Sequence, residues 1–78
     1  MAAYTLRQLK YFVTTVECGS VAEASRKLYI AQPSISTAIK GLEESFGLQL
    51  FIRHHAQGVS LTPGGARFYK QAQELMRM

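Results

Sequence analysis

Tyr29-Ile30-Ala31-Gln32-Pro33-Ser34-Ile35-Ser36-Thr37-Ala38-Ile39-Lys40-Gly41-Leu42-Glu43-Glu44-Ser45-Phe46-Gly47 is the stretch that decides how this 78-residue chain folds. Pro33 fits the first turn of a helix, where its missing N–H costs nothing. Ile35, Ile39, Leu42 and Phe46 then recur at helical spacing, which makes one continuous apolar stripe. Gly47 supplies the left-handed residue that ends a helix. The spacing predicts a helix over about 32–46. At roughly 100° per residue, the face opposite the stripe holds Pro33, Thr37, Lys40 and Glu44. Ser34 and Ser36 lie on its flanks, and Gln32 sits at its amino end. The face is polar and nearly free of bulk.

Working toward the amino terminus, Tyr29-Ile30-Ala31 reads as a three-residue turn after a shorter helix. That helix opens at Ser20, with Glu23 placed for a capping box, and turns Val21, Ala24 and Leu28 inward. The small Ala24 lets another helix approach closely. Before it, Tyr4 to Gly19 reads as a first helix. Thr5 and Gln8 form its capping box, and Tyr4 and Leu9 can close a hydrophobic staple. Leu6, Leu9, Phe12, Val13 and Val16 form its apolar face, and Gly19 stops it.

Working toward the carboxyl terminus, the period changes. Leu50-Phe51-Ile52-Arg53 and Val59-Ser60-Leu61 are short and rich in β-favouring residues. Residues 54–58 between them contain Gly58, suited to a hairpin turn. This two-stranded wing must pack on the helices to be stable. Thr62 and Pro63 then open a fourth helix as N-cap and N1. Phe68, Ala72 and Leu75 share a stripe, with Tyr69 and Met76 beside it. This stripe extends past what a small core covers, so it is expected to pair two copies of the chain. The chain stops inside that helix without a cap, as expected of a piece of a longer protein.

The length allows one domain. A formal net charge of +4 favours an anionic partner, nucleic acid or an acidic membrane surface. The charge is zoned: Arg7, Lys10, Arg26, Lys27 and Lys40 at one end, Arg53, Arg67, Lys70 and Arg77 at the other, Glu43 and Glu44 between. No apolar run approaches the ~20 residues of a membrane span, and no signal-peptide core opens the chain. Cys18 is alone, so no intramolecular disulfide or cysteine zinc site exists, and the reducing cytoplasm is the expected compartment. Five scattered glutamates and no nucleophile motif argue against an enzyme, and no cofactor is expected. His54 and His55 point to opposite faces of a strand and cannot easily share one metal ion. No metal site is expected.

Two helices joined by a short turn, the second opening with polar residues, are the signature of a helix-turn-helix. Gln32 is suited to a bidentate contact with adenine and Thr37 to a thymine methyl. Pro33 shares the base-facing end, and Ser36 with the amino-terminal amides can hold a phosphate oxygen. Ser34 and Ser20 can meet phosphate oxygens near helix amino ends, and Lys40 adds phosphate charge one turn deeper. Arg53 can reach the backbone or a narrow minor groove. His54 and His55 can meet phosphate, more strongly when protonated. The plainer alternative is the wet side of a surface helix, with Gln32 and Ser34 as caps.

The run from Gly19 to His54, followed by Leu61-Thr62-Pro63-Gly64-Gly65, resembles the amino-terminal domain of LysR-type transcriptional regulators. The matching pieces are Gln32-Pro33, Ser36, Ile39, Leu42-Glu43, Gly47, Leu50-Phe51, Arg53, and Leu61-Thr62 with Gly65. The resemblance covers essentially the whole chain. It implies a mostly α winged helix-turn-helix: a three-helix core, a two-stranded β wing and a carboxyl-terminal linker or dimerisation helix. It divides the chain into a DNA-binding domain, 1–62, and the start of that helix, 63–78, and places a small-molecule effector domain beyond it. It also implies sequence-specific binding of double-stranded DNA at an interrupted inverted repeat. The expected homodimer forms through Phe68, Tyr69, Ala72, Leu75 and Met76, with a tetramer as the larger assembly. Gln32, Pro33, Ser36 and position 37 would face bases or nearby phosphates, with Arg53 in the wing. Three departures stand out. Thr37 replaces a common arginine, so no bidentate guanine contact can form there. Ala24-Ser25 replaces a pair of alanines. The wing is one residue longer, with His54, His55 and Gln57 where a further arginine is common. A molybdate-type regulator and a protein-interaction winged helix are the alternative readings.

Overall fold

The structure, a computed structural model, describes residues 4–54 and 58–77. Its elements run α1 (Leu6–Cys18), α2 (Val21–Leu28), α3 (Gln32–Phe46), β1 (Phe51–His54), β2 (Gly58–Leu61) and α4 (Pro63–Met76). The two strands pair antiparallel, Phe51 opposite Leu61 and His54 opposite Gly58. This is the mostly α winged helix-turn-helix that the stripe of α3 and the change of period predict.

Each helix boundary has a local cause. Thr5 and Gln8 form the full capping box of α1, and Gly19 ends it at φ 81°. Thr62 caps α4 by accepting the Gly65 N–H at 2.9 Å, and Pro63 follows at N1. Ser20 caps α2 through the Glu23 N–H at 3.0 Å. The reciprocal half of that expected box is absent from α2, because the Glu23 carboxylate pairs with Arg26 instead.

The core forms around Phe12, which is fully buried. The rings of Phe51 and Phe68 both lie 5.3 Å from it, and Tyr69 lies 6.3 Å away. Phe68 also meets Phe46 at 4.9 Å, which joins α3 to α4. Leu9, Ile35, Leu42, Leu50 and Ala24 complete the buried cluster. Aromatic pairs at these spacings add to the burial of the rings themselves.

Three sequence expectations change. Leu6 belongs to the predicted apolar face of α1, yet it is 73% exposed, since it sits in the first turn with no element over it. Tyr4 lies 5.8 Å from the ring of Phe46. The first strand begins at Phe51, not Leu50. Both backbone groups of Leu50 are engaged outside the ladder: its N–H by Glu43 and its C=O by the Thr62 N–H at 3.0 Å. The second strand begins at Gly58, one residue earlier than the β-favouring run suggests.

Candidate nucleic-acid interface

The amino end of α3 opens on Ala31, whose side chain cannot cap, and no side chain caps this helix. Gln32 and Ser34 therefore do not serve as caps. The Ser34 N–H instead folds back to the Ala31 carbonyl at 3.1 Å. Gln32, Pro33, Ser34, Thr37 and Lys40 are exposed, and Ser36 is half-buried. Ile35, Ile39 and Leu42 hold the opposite face in the core. The polar face predicted from periodicity is thus the solvent face of α3.

A groove separates α3 from the wing. Ser36, Thr37 and Lys40 line one wall, and Gln49 and Arg53 line the other. A second groove lies between the start of α2 and the wing, lined by Ser20, Ala22, Arg53 and His54. Arg53 lines both, so this residue stands between the two grooves. Among the described residues the one ion pair is Arg26–Glu23. Lys40 and Arg53 form no ion pair among the described residues.

The wing is fixed at three points. At its base, the Glu43 carboxylate accepts the N–H groups of Leu50 at 2.8 Å and Phe51 at 3.4 Å, and Gln49 Nε2 donates to the Phe51 carbonyl at 2.9 Å. Across the ribbon, His54 Nε2 and Ser60 Oγ lie 2.8 Å apart. Toward the tip, the Val59 N–H donates to the Gly19 carbonyl at 3.0 Å. Gly58 sits at φ 89°, and a Cβ there would lie 2.2 Å from the Gly19 oxygen. The turn between α1 and α2 therefore latches the wing.

Of the predicted residues, Gln32, Pro33, Thr37 and Lys40 share one exposed face with half-buried Ser36; Arg53 stands across the groove from Thr37 and Lys40, and His54 lines the second groove. Ser20 reaches the second groove, but its hydroxyl is engaged as the cap of α2. His55 lies outside the described residues. The predicted dimer set divides. Ala72 is 1% exposed, and Phe68 and Tyr69 pack against the core. Ala72 is thus closed off within the domain, while Phe68 and Tyr69 are half-buried. Leu75 and Met76 are exposed, in a groove shared with Tyr4 and Leu6.

Glu43 is the residue sequence reasoning overlooked. Lys40 lies three residues before it, yet among the described residues the two form no ion pair, and a carboxylate without a cation is a candidate acceptor for backbone N–H groups. Its place directly after Leu42 of the apolar stripe was the available signal. Among the described residues no cluster of three metal-ligating side chains occurs, and no helix is long and apolar enough to cross a membrane.

Comparison with known proteins matches this geometry. The family model described as "Bacterial regulatory helix-turn-helix protein, lysR family" matches residues 6–66. The HTH-type transcriptional regulator TfdS of Cupriavidus pinatubonensis is 44% identical over 72 residues, covering 92% of this chain and 24% of its own length. HinK, a LysR family transcriptional regulator from Pseudomonas aeruginosa, is 82% identical, with a TM-score of 0.87 over 97% of this chain and 24% of that one. The DNA-binding domain of BenM, crystallised with benA site 1 DNA, is 45% identical, with a TM-score of 0.86 over 94% of this chain and 84% of that one. The chain spans about a quarter of the length of the curated relatives it matches. With a family match over most of its length, and with the helix pair that the family name describes, the chain belongs to the LysR family of bacterial regulatory helix-turn-helix proteins.

Proposed function

We propose that this chain is the DNA-reading domain of a LysR-type transcriptional regulator, and that α3 enters the major groove of double-stranded DNA amino end first. The observation that carries the reading is the face of α3. Gln32, Pro33, Ser34 and Thr37 stand exposed at an amino end without a side-chain cap, beside the unpaired cations Lys40 and Arg53. Gln32 Oε1 and Nε2 match the N6 and N7 edge of adenine, and the Thr37 methyl suits a thymine. Ser34, Lys40, Arg53 and His54 hold phosphate, which fixes register without reading sequence. The relatives include a DNA-binding domain solved on DNA, which supports the reading. The family match favours it over the molybdate-type alternative.

The site is an interrupted inverted repeat read by two copies. The exposed apolar groove of Tyr4, Leu6, Leu75 and Met76 is where α4 of one copy meets the other. A small-molecule effector acts through the part of the regulator beyond this chain, and the protein works in the cytoplasm. Selection of bound duplexes from a random pool tests the whole reading. Recovery of a half-site with two-fold symmetry supports it, and recovery of unenriched sequence at moderate salt overturns it.

A further inference from the structure

We propose that Tyr29 is a DNA-backbone contact, its phenol donating a hydrogen bond to a phosphate beside the amino end of α3. The inference rests on the reading of α3 given above. Tyr29 has φ 59° and ψ 40°, the one non-glycine residue with positive φ among the described residues. A bulky side chain disfavours that conformation, which glycine or asparagine adopts readily. The surrounding turn nevertheless holds it firmly. The Tyr29 N–H donates to the Ser25 carbonyl, the Ile30 N–H donates to the same oxygen at 3.2 Å, and Ser25 Oγ donates back to the Ile30 carbonyl.

The tyrosine is 93% exposed and adds nothing to the core, whereas the next residue, Ile30, packs inward. Neither turn geometry nor packing therefore calls for an aromatic ring at position 29. Its place does supply a use. Tyr29 stands three residues before Gln32, on a pinned turn between the two helices of the helix-turn-helix. In such motifs the element before the reading helix crosses the phosphate backbone, and a tyrosine hydroxyl is among the usual backbone donors. A rigid turn presents that hydroxyl with little ordering left to do on binding. Because the phenol is neutral, it adds affinity without releasing a counterion.

The test measures the binding of the wild-type chain, Tyr29→Phe and Tyr29→Gly to two probes, the best duplex recovered from a random pool and an unselected duplex. Melting temperature is followed in parallel. Tyr29→Phe is expected to weaken binding to both probes by about ten- to a hundred-fold, the worth of one hydrogen bond to a charged acceptor, with the salt dependence unchanged. Tyr29→Gly is expected to weaken binding at least as much without lowering the melting temperature, which separates contact from folding. If the wild type binds and both variants bind equally well, the assignment of Tyr29 is overturned while the reading of α3 stands. A loss in Tyr29→Phe confined to duplexes changed at one base pair also overturns it, since that marks base reading. A wild-type chain with no sequence preference takes down both.

Discussion

The Glu43 carboxylate accepts the backbone N–H of Leu50 at 2.8 Å, so a side chain from the last turns of α3 holds the residue on which the wing begins. Leu50 is fully buried, and its N–H has no water to turn to if that acceptor is lost. Glu43→Leu is expected to destabilise the fold by about 1–3 kcal/mol, the cost of a buried donor left without a partner. Glu43→Gln keeps a carbonyl acceptor and should lose less. Thermal unfolding of the two variants side by side checks the order, and equal losses would point to packing instead.

Gln32 and Lys40 stand on the same exposed face of α3 but serve different purposes. Gln32→Ala is expected to weaken binding to the selected duplex by about 1–3 kcal/mol and to relax the preference at one position of the half-site. A repeat of the selection with the variant reads this directly.

Lys40→Ala should weaken all duplexes alike. The slope of log affinity against log salt should fall by about 0.9, one phosphate contact's share of released counterions. Titrations at several salt concentrations give the number. An unchanged slope would remove Lys40 from the backbone contacts.

Adjacent glycines in the first turn of α4 make opposite predictions. A Cβ on Gly65 would lie 2.1 Å from the Leu50 oxygen, which is backbone and cannot step aside. Gly65→Ala is expected to cost about 1–3 kcal/mol or more through overpacking. A Cβ on Gly64 meets the end of Leu48 at 3.6 Å and the Thr62 hydroxyl at 3.9 Å, both ordinary contacts. Gly64→Ala should therefore stabilise by roughly 0.4–1 kcal/mol, by restricting the unfolded chain. Melting temperatures of the pair decide it, and a shift in the same direction for both would count against the geometry.

Pairing through α4 can be tested apart from folding. Leu6 and Leu75 are exposed at one groove and contribute little to the core. Leu6→Glu with Leu75→Glu should leave the melting temperature of the domain nearly unchanged while light scattering shows a shift toward monomer. Dimer at wild-type strength would move the interface elsewhere.

The stripe Ile35–Ile39–Leu42–Phe46 made α3 legible, because a helical period over 15 residues leaves no competing assignment. The caps at Thr5 and Thr62 were legible for a similar reason, being bonds between near neighbours in the chain. What stayed hidden is long-range. Nothing in the spacing of Glu43 and Leu50 announces their bond, or that of Gly58 and Gly19 their contact. Helix four shows the same limit. Its stripe is apolar throughout, but periodicity cannot say whether the chain or a second copy covers it. The core takes Phe68 and Ala72 and leaves Leu75. At Ser20 the expected cap forms, its Oγ accepting the Glu23 N–H, which leaves the O–H proton able to donate.

The close seating of Gly65 on the Leu50 carbonyl also has a mechanical meaning. Leu50 is tied at its other end to Glu43 of α3, so the root of α4, the root of the wing and the reading helix are braced at one point. α4 runs 14 residues from that point, about 20 Å at 1.5 Å per residue. Phe68 and Ala72 also seat it on the core along that length. Turning α4 about its root would therefore strain the ties of Leu50 to the wing and to α3 together.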